Sequence, residues 1–335
     1  MLVVYRTLLK ETFVYPTFER GLKVIFEDER QLIRIRNMSF AELVQTRENW
    51  FVAEGWPGIK YTMHATYAND HDGFYFLEKD GQKIASISVV TYPAINFAYI
   101  GCYVVTKPFR WQGLGKLIIT QGIEHAASKQ DIASFGLNCG ESAVTMYQRY
   151  GFKTSTVDEF WRYTVQLIKS IAQDNNKSTR EFVELPILDE ELFKSLVEFD
   201  TSILGACRED FLKNFISKPK TVTMIWQEDG TIHGYGIMSE REPAKPEEYP
   251  SYKIGPLYAD NTSIANILLT NLISALNPRE SVYLETPGNN LAAKNMVQTL
   301  GFEQIGGMQH KMFKGEPPKF DTKRIFCYSS IAIGG

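Results

Sequence analysis

The sequence predicts a mixed α/β protein made of two tandem domains, each a mixed, mostly antiparallel twisted sheet flanked by helices. Its 335 residues are enough for two domains of ordinary size. A hairpin signal occurs twice, because apolar runs flank both Asp80-Gly81 and Asp229-Gly230, and Asp-Gly readily supplies the positive φ angles of a tight turn. The two signals set an offset of about 150 residues between the copies.

Other segments repeat in the same order and at a similar offset. The matching pairs are YIGCYVV (99–105) with KIGPLYA (253–259), and AVTMYQRYGF (143–152) with AKNMVQTLGF (293–302). Several matches in one order indicate two copies of one fold. The polar stretch Gln173–Arg180 then separates a first domain, residues 1–170, from a second domain, residues 171–335.

Each element of the first copy has a local signal. Apolar runs predict strands, apolar residues spaced three or four apart predict helices, and Ser39 has the side chain of a helix N-cap. The predicted order is a strand at 31–36, a helix from Ser39 to about residue 53, a hairpin at 74–91, a strand at 97–105, a helix from about residue 115, a strand at 133–139, a helix at 142–150 and a closing strand at 160–166. Hairpins and helix crossovers together predict a mixed sheet covered by helices. Residues 1–30 receive no predicted element.

Composition argues against several classes of protein. The 36 basic and 39 acidic residues give a net charge of -3, which is too balanced for a nucleic-acid binder. The four cysteines form no Cys-x-x-Cys pair and the five histidines no metal-ligand spacing, so we expect reduced thiols and no metal. No run approaches the roughly 20 apolar residues of a membrane span. We therefore expect a cytoplasmic protein with neither nucleic-acid nor membrane partners.

The most informative segment is the glycine-containing loop Arg110–Lys116, which follows the strand at 97–105 and leads into a helix. Gly113 and Gly115 allow close approach of the backbone, and the N-terminus of the helix presents free N–H groups with a partial positive charge. Lys107 and the two basic residues of the loop add full charges, so the loop is suited to a polyanion. A Walker A loop would need a hydroxyl residue after Gly-Lys, and a dinucleotide loop a third glycine where Ile118 stands.

The loop matches R/Q-x-x-G-x-G/A, the pyrophosphate loop of the Gcn5-related N-acetyltransferase (GNAT) superfamily. The run Tyr147–Phe152 matches the Y-x-x-x-G-F helix end that follows in that superfamily. The chain also resembles acetyltransferases with a C-terminal domain of the YitH/HolE type, over residues 199–212, 252–261 and 321–330. The resemblance implies two GNAT folds and transfer of an acetyl group from acetyl-CoA to a primary amine of a small molecule or peptide by direct attack.

The resemblance also implies which residues bind coenzyme A. The main chain around Tyr103 would bind the pantetheine arm, and the loop would bind the pyrophosphate. The expected contacts are Tyr103, Val104, Val105, Arg110, Trp111, Gln112, Gly113, Leu114, Gly115, Lys116 and Asn138. Asn138 is included among these contacts because relatives often carry an asparagine seven residues before the tyrosine. This chain has Gly140 there, and Asn138 lies close enough to substitute for it. Tyr147 matches the general acid of the superfamily, since its hydroxyl stays protonated until a thiolate leaves.

The general base is not evident, because residues 96–105 contain neither a carboxylate nor a histidine, although many relatives carry a glutamate there. Glu54, His64 and Glu141 are candidates by residue type alone. A chain of water molecules, or an acceptor that arrives unprotonated, would make a base unnecessary.

The second copy lacks the loop glycines and has Val297 in the place of Tyr147. We therefore expect it to be a degenerate domain that recognises the acceptor or has a structural role. Five residues are candidates for the acceptor pocket: Trp56, Asp200, Arg208, Tyr235 and Tyr258. Two alternatives to this assignment stay open: a catalytically weak acyl-CoA-binding or sensing module, and a protein that binds another nucleotide. A homodimer is compatible with the sequence as well.

Overall fold

The computed structural model describes residues 2–6, 24–28, 31–56, 60–129, 131–164, 189–241 and 249–329. The first half contains strands β1 (Leu2–Arg6), β2 (Val24–Asp28), β3 (Gln31–Asn37), β4 (Phe74–Lys79), β5 (Gln82–Tyr92), β6 (Phe97–Val105), β7 (Ser134–Gly140) and β8 (Lys153–Thr164), with helices α1 (Phe40–Thr46), α2 (Lys60–Asn69), α3 (Leu114–Lys129) and α4 (Glu141–Gln148). The second half contains α5 (Glu190–Leu204), α6 (Glu209–Ile216), β9 (Thr221–Glu228), β10 (Thr231–Arg241), β11 (Ser251–Ala259), α7 (Thr262–Ser274), β12 (Ser281–Thr286), α8 (Leu291–Thr299), β13 (Glu303–Lys314) and β14 (Ile325–Cys327).

The local signals of the sequence are confirmed. Both Asp-Gly turns have positive φ at each residue, 51° and 78° at Asp80 and Gly81 and 48° and 79° at Asp229 and Gly230. Ser39 caps α1 through a reciprocal capping box with Glu42, which satisfies two N–H groups at the start of the helix.

Two expectations about elements are wrong in detail, and one helix was missed. The helix after Ser39 leaves α geometry at Thr46 and continues as a π-helical turn, Arg47–Phe51. Helix α2 was not expected at all. The closing strand of the first half begins at Lys153 rather than at residue 160, because the polar run at its start pairs with a neighbouring strand instead of showing apolar alternation.

The N-terminal residues, for which the sequence predicted no element, form two strands at opposite edges of the sheet. Strand β1 pairs antiparallel with β9 of the second half, and β2 pairs antiparallel with β3 of the first half. The predicted linker Gln173–Arg180 lies outside the described residues.

The described strands form one continuous sheet with the order β1-β9-β10-β11-β12-β8-β13-β7-β6-β5-β4-β3-β2, and β14 pairs with β11. The two halves exchange their closing strands. Strand β8 of the first half pairs with β12, and β13 of the second half pairs with β7 and β8. The halves are therefore interlocked, although each carries its own set of sequence elements.

The two faces of the sheet are covered differently. Helices α1, α2, α5 and α6 pack on one face, here called the front face, and their apolar side chains form a single core that spans both halves. On the back face, α3 and α4 cover a core of the first half, and α7 and α8 cover a separate core of the second half. None of the described helices is both long and apolar enough to cross a membrane.

Candidate functional site

The first half contains a V-shaped opening between two parallel strands. Strands β6 and β7 pair from Phe97 and Ser134 up to Ile100 and Leu137, yet β6 continues to Val105 and β7 to Gly140. Beyond Ile100, the edge of β6 that faces β7 lies outside this ladder. Backbone N–H and C=O groups on such an edge are available to a ligand that adds alongside the strand.

The narrow end of this opening, which we call the apex, contains a bulge in β6. Cys102 has a φ of 51°, and the register between β5 and β6 shifts at this position. The Ser86 hydroxyl donates to the Cys102 carbonyl at 2.8 Å, so the bulge is held from the β5 side. A bulge redirects the backbone groups around it, and here it turns the strand just where the V begins.

The glycine-containing loop lies at the wide end of the V. Gly113 has a φ of 80°, and a Cβ added there would meet no atom within 4 Å. Helix α3 starts one residue later, so its free N–H groups and partial positive charge lie at this end of the opening. Lys107 and Lys116 are exposed nearby, and Trp111 is fully exposed.

Two other loop residues brace the loop. The Nε of Arg110 donates to the Val105 carbonyl at 2.8 Å, and its guanidinium forms an ion pair with Glu54. Gln112 donates from Nε2 to the Pro108 carbonyl at 3.0 Å. The Arg110 charge therefore has a carboxylate partner, and Glu54 is committed to that ion pair rather than placed as a base.

Gly115 is required by a neighbouring tyrosine. A Cβ at this position would collide with the Tyr103 hydroxyl, so glycine allows β6 and α3 to approach each other. Burial raises the pKa of Tyr103, and a hydrogen bond with Tyr150 adds to this effect. The Tyr103 ring also lies 6.2 Å, centroid to centroid, from the Tyr147 ring.

Tyr147 projects from α4 toward β6 and is 7% exposed. Its ring also contacts Phe152, at 6.0 Å between centroids. Burial raises the pKa of Tyr147 well above its ordinary value of 10.0, and the negative charges that Tyr103 and Cys139 would carry act in the same direction. The hydroxyl therefore stays protonated across the ordinary pH range, and the same shift makes it a weaker acid than an exposed tyrosine.

The corresponding opening of the second half is filled by the chain itself. Strands β11 and β12 pair from Ser251 to Lys253 and then separate. Strand β14 pairs with β11 in the gap, and the Tyr328 N–H donates to the Glu285 carbonyl on β12 at 3.0 Å. The C-terminal segment thus occupies the position that remains open, among the described residues, in the first half.

The loop of the second half also lacks the features of a phosphate site. Helix α7 is capped by Asn261, whose side-chain oxygen accepts from the Ile264 N–H at 3.0 Å. A cap of this kind satisfies one of the N–H groups that a phosphate would need.

Four of the five predicted acceptor residues meet, but they are closed to solvent. Asp200, Arg208, Tyr235 and Tyr258 are each at most 1% exposed. Arg208 donates to both carboxylate oxygens of Asp200 at 2.8 Å, and the Tyr235 hydroxyl donates to the same carboxylate. The expectation that these residues line an acceptor pocket is therefore corrected: they form a buried, mutually satisfied polar cluster beneath α5 and α6.

The remaining candidates from the sequence have other partners. Trp56 is 41% exposed and contacts Phe51 at 5.7 Å between ring centroids. His64 packs edge-on against Phe40 at 4.8 Å. Glu141 pairs with His310 of β13, so a residue of the second half reaches the start of α4.

Sequence reasoning missed a buried polar group between the halves. Asn138 of β7 donates from Nδ2 to the carboxylate of Glu285, on β12, at 3.3 Å. Asp158 of β8, Lys253 of β11 and Lys311 of β13 surround this pair. Aligning the strands SFGLNCG (134–140) and SVYLETP (281–287) gives Asn138 and Glu285 the same position in the two copies, but this alignment does not predict their contact.

Comparison with known proteins agrees with this architecture. The model of the Acetyltransferase (GNAT) family matches residues 37–152, and that of an Acetyltransferase (GNAT) domain matches residues 196–327. A holothin acyltransferase from Pseudoalteromonas sp. (strain SANK 73390) is 24% identical over 291 residues, which cover 87% of this chain and 91% of that protein.

Solved structures share the fold at low identity. A protein from Pyrococcus horikoshii that is assigned to the acetyltransferases has a TM-score of 0.69 at 16% identity, over 90% of this chain and 96% of its own. A tandem GNAT protein from the clavulanic acid biosynthesis pathway has a TM-score of 0.55 at 11% identity, over 86% of this chain and 99% of its own. With two GNAT regions side by side over most of its length, the chain is a tandem-domain acyltransferase of the GNAT superfamily.

Proposed function

We propose that this protein transfers an acetyl group from acetyl-CoA to a primary amine of a small molecule or peptide. One observation carries the proposal: among the described residues, the opening between β6 and β7 has a free strand edge and a glycine loop at its mouth, whereas β14 fills the equivalent opening of the second half. The first domain, residues 1–170, is then catalytic. The second domain, residues 171–335, has a structural role and completes the acceptor side.

The residues of the first opening fit coenzyme A. The main chain of Tyr103, Val104 and Val105 lies along the free edge of β6, where a pantetheine arm can add as a further strand. The amides of Gly113 and of the first turn of α3 would bind the pyrophosphate. When bound, the coenzyme supplies a thioester, whose acyl carbon an amine can attack.

Tyr147 is the proposed acid of the reaction. It lies beside Tyr103 of the free edge, and a hydroxyl that remains protonated can donate its proton to the departing sulfur. The name of the holothin acyltransferase relative supports a small molecule as acceptor. A cytoplasmic location and a homodimer remain expectations of the same proposal.

Calorimetric titration of acetyl-CoA tests the proposal with a matched pair of variants. Gly113→Glu places a carboxylate at the pyrophosphate loop, and we expect it to weaken binding at least 100-fold, or about 2.7 kcal/mol. Gly230→Glu is the control, because Gly230 has nearly the same φ, 79° against 80°, and equally open surroundings in a distant turn. The control should bind like the wild type, at one site per chain.

Other results of this titration, or of a thiol-release assay with primary amines, would count against the proposal. Absence of binding to the wild type would remove the acetyl-CoA assignment. Two sites per chain would contradict the assignment of a single cofactor site to the first domain. Binding without release of free thiol in the presence of primary amines would leave a cofactor-binding protein in place of an amine acetyltransferase.

A further inference from the structure

The apex of the open V contains a side chain that connects the two halves. Leu137 is the last residue of β7 in the ladder with β6, so Asn138 is the first residue on the separated part of the strand. Its side-chain amide donates to Glu285 at 3.3 Å. A carboxylate from the second half therefore lies one hydrogen bond from the point where the two strands of the first half begin to separate.

The charges around this carboxylate are loosely paired. The Nζ of Lys253 lies 3.8 Å from Glu285, and the Nζ of Lys311 lies 3.9 Å from Asp158; both separations exceed ordinary hydrogen-bond lengths. Among the described residues, Asn138 Oδ1, Asp158 Oδ2 and Lys311 Nζ are buried with no hydrogen-bond partner. Buried polar atoms are nearly always satisfied. Lys311 Nζ lies 3.6 Å from the centre of the Tyr328 ring, which leaves the two oxygens, Asn138 Oδ1 and Asp158 Oδ2, to bind water or another polar group.

Of the two carboxylates, Glu285 makes fewer hydrogen bonds among the described residues, since its side chain accepts one from Asn138. Asp158 is completely buried, and its Oδ1 accepts from the Gly288 N–H at 3.0 Å and from the Thr156 hydroxyl at 3.2 Å. These bonds fix the turn that follows β12. The Glu285 side chain keeps 4% exposure and lies beside the apex residue Asn138.

We propose that Glu285, supplied by the second half, is the base that takes a proton from the acceptor amine at the apex. This inference rests on the proposed acetyl transfer and deepens it. Glu285 accepts one proton from the ammonium, and the free nitrogen forms the N–C bond while the C–S bond of the thioester breaks. Tyr147 gives its proton to the sulfur and recovers one from the nitrogen, so that amide, thiol and a protonated Glu285 result.

The environment supports this role. Burial raises the pKa of Glu285 above its ordinary value of 4.5, and the neighbouring lysines and Asn138 counteract only part of that effect. A carboxylate with a raised pKa is a stronger base once it is ionised. The groups that act electrostatically on this site are Tyr99 of β6, Asp158 of β8, Lys253 of β11, Lys311 of β13, Cys327 of β14 and Tyr328.

The test compares Glu285→Gln with Glu159→Gln, a control on β8 that removes a largely buried carboxylate paired with Lys294 at 2.7 Å. With acetyl-CoA and benzylamine at pH 7, Glu285→Gln should lower kcat/KM about 100-fold, and the control less than about threefold. The rate of Glu285→Gln should then rise about tenfold per pH unit, because the amine must lose its proton in solution. Hydrolysis of acetyl-CoA without an amine, in which water also loses a proton, should fall by a similar factor.

A readout without substrate accompanies the kinetics. Because the pKa of Glu285 is raised in the native state, this side chain keeps its proton to a higher pH there than in the unfolded chain. The wild type should therefore lose stability relative to Glu285→Gln as the pH rises above about 4.5, as measured by melting temperature. Acetyl-CoA affinity should be unchanged in both variants, because neither residue lies at the loop.

The outcomes separate the two proposals. If the wild type does not bind acetyl-CoA, the proposed function fails. If it binds, but Glu285→Gln hydrolyses acetyl-CoA and acetylates benzylamine like the control, the base assignment alone is overturned. A loss of rate that stays the same at every pH also overturns it, since that pattern indicates a structural role for Glu285.

Discussion

At the scale of single residues, the structure shows what the side chains of Tyr103 and Tyr147 contact, which their positions in the sequence do not show. Tyr147 and Tyr103 lie side by side between α4 and β6. Gly115 is needed because the Tyr103 hydroxyl occupies the space of a side chain there. The sequence suggests that both loop glycines serve the phosphate; in the structure, Gly113 faces open space and Gly115 permits packing.

Replacement of Tyr147 by phenylalanine should lower kcat about 100-fold or more, because a general acid contributes at least that factor. Acetyl-CoA affinity measured by calorimetry should be unchanged. Because burial raises the pKa of Tyr147 well above 10.0, the wild-type rate should show no alkaline decline from this group below pH 10. Tyr163→Phe is the control, since Tyr163 is also a buried tyrosine but belongs to the core of the second half; equal losses in both variants would argue against the acid role.

Residue type alone also misled the search for the acceptor site. Asp200 and Arg208 are charged residues within apolar segments, which is typical of a functional pocket and equally of a buried ion pair. Their bidentate contact and the two tyrosines satisfy the cluster internally. Burial is a property of the packed helices α5 and α6, and the order of residues does not encode it locally.

At the scale of elements, strand β14 fills the opening of the second half, whereas no described residue fills that of the first half. It pairs with β11 through Leu257 and Tyr258, and the segment is fixed by Ile325, Phe326, Cys327 and Tyr328, each at most 2% exposed. The Nη1 of Arg208 also reaches the Ser329 hydroxyl at 3.5 Å. The buried cluster that the sequence suggested as an acceptor site thus helps to hold this segment in place.

Phe326→Ala should lower the free energy of unfolding by about 3–5 kcal/mol, because it removes a fully buried aromatic side chain from the core of the second half. Denaturant titration measures this change. The acetyl-CoA affinity of the molecules that stay folded should match that of the wild type, since the proposed site lies in the first half. Trp111→Ala, at a fully exposed position, should stay within about 0.5 kcal/mol. A gain of a second acetyl-CoA site without loss of stability would contradict the structural role of β14.

At the scale of the whole molecule, we expect the exchange of β8 and β13 to make the two halves one cooperative unit. The sheet is continuous across the exchange, and the core on the front face includes side chains from both halves. Loss of either half would expose strand edges and apolar surface of the other. The predicted boundary at residues 170 and 171 therefore separates two segments of sequence that share one sheet.

Leu268→Ala, in the core of the second half, should destabilise the protein by about 2–5 kcal/mol. If the halves unfold together, hydrogen exchange should show the same loss of protection in β5 of the first half as in β10 of the second. Leu291→Ala, at an exposed position, should change neither strand. A loss confined to β10 would indicate that the halves unfold independently.

The sequence by itself determined the local features of this protein: the two Asp-Gly hairpins, the Ser39 cap, the glycine loop before α3 and the repetition of the fold. Each depends on residues within a few positions of one another, so its signal is present in the chain. Only the tertiary structure decided that β8 and β13 change places, that β14 fills one of two similar openings, and that Glu285 meets Asn138 across 147 positions of sequence. Those outcomes depend on which strand edges pair and which apolar faces pack together in three dimensions. Pairing between strands that are far apart in the sequence leaves no local pattern.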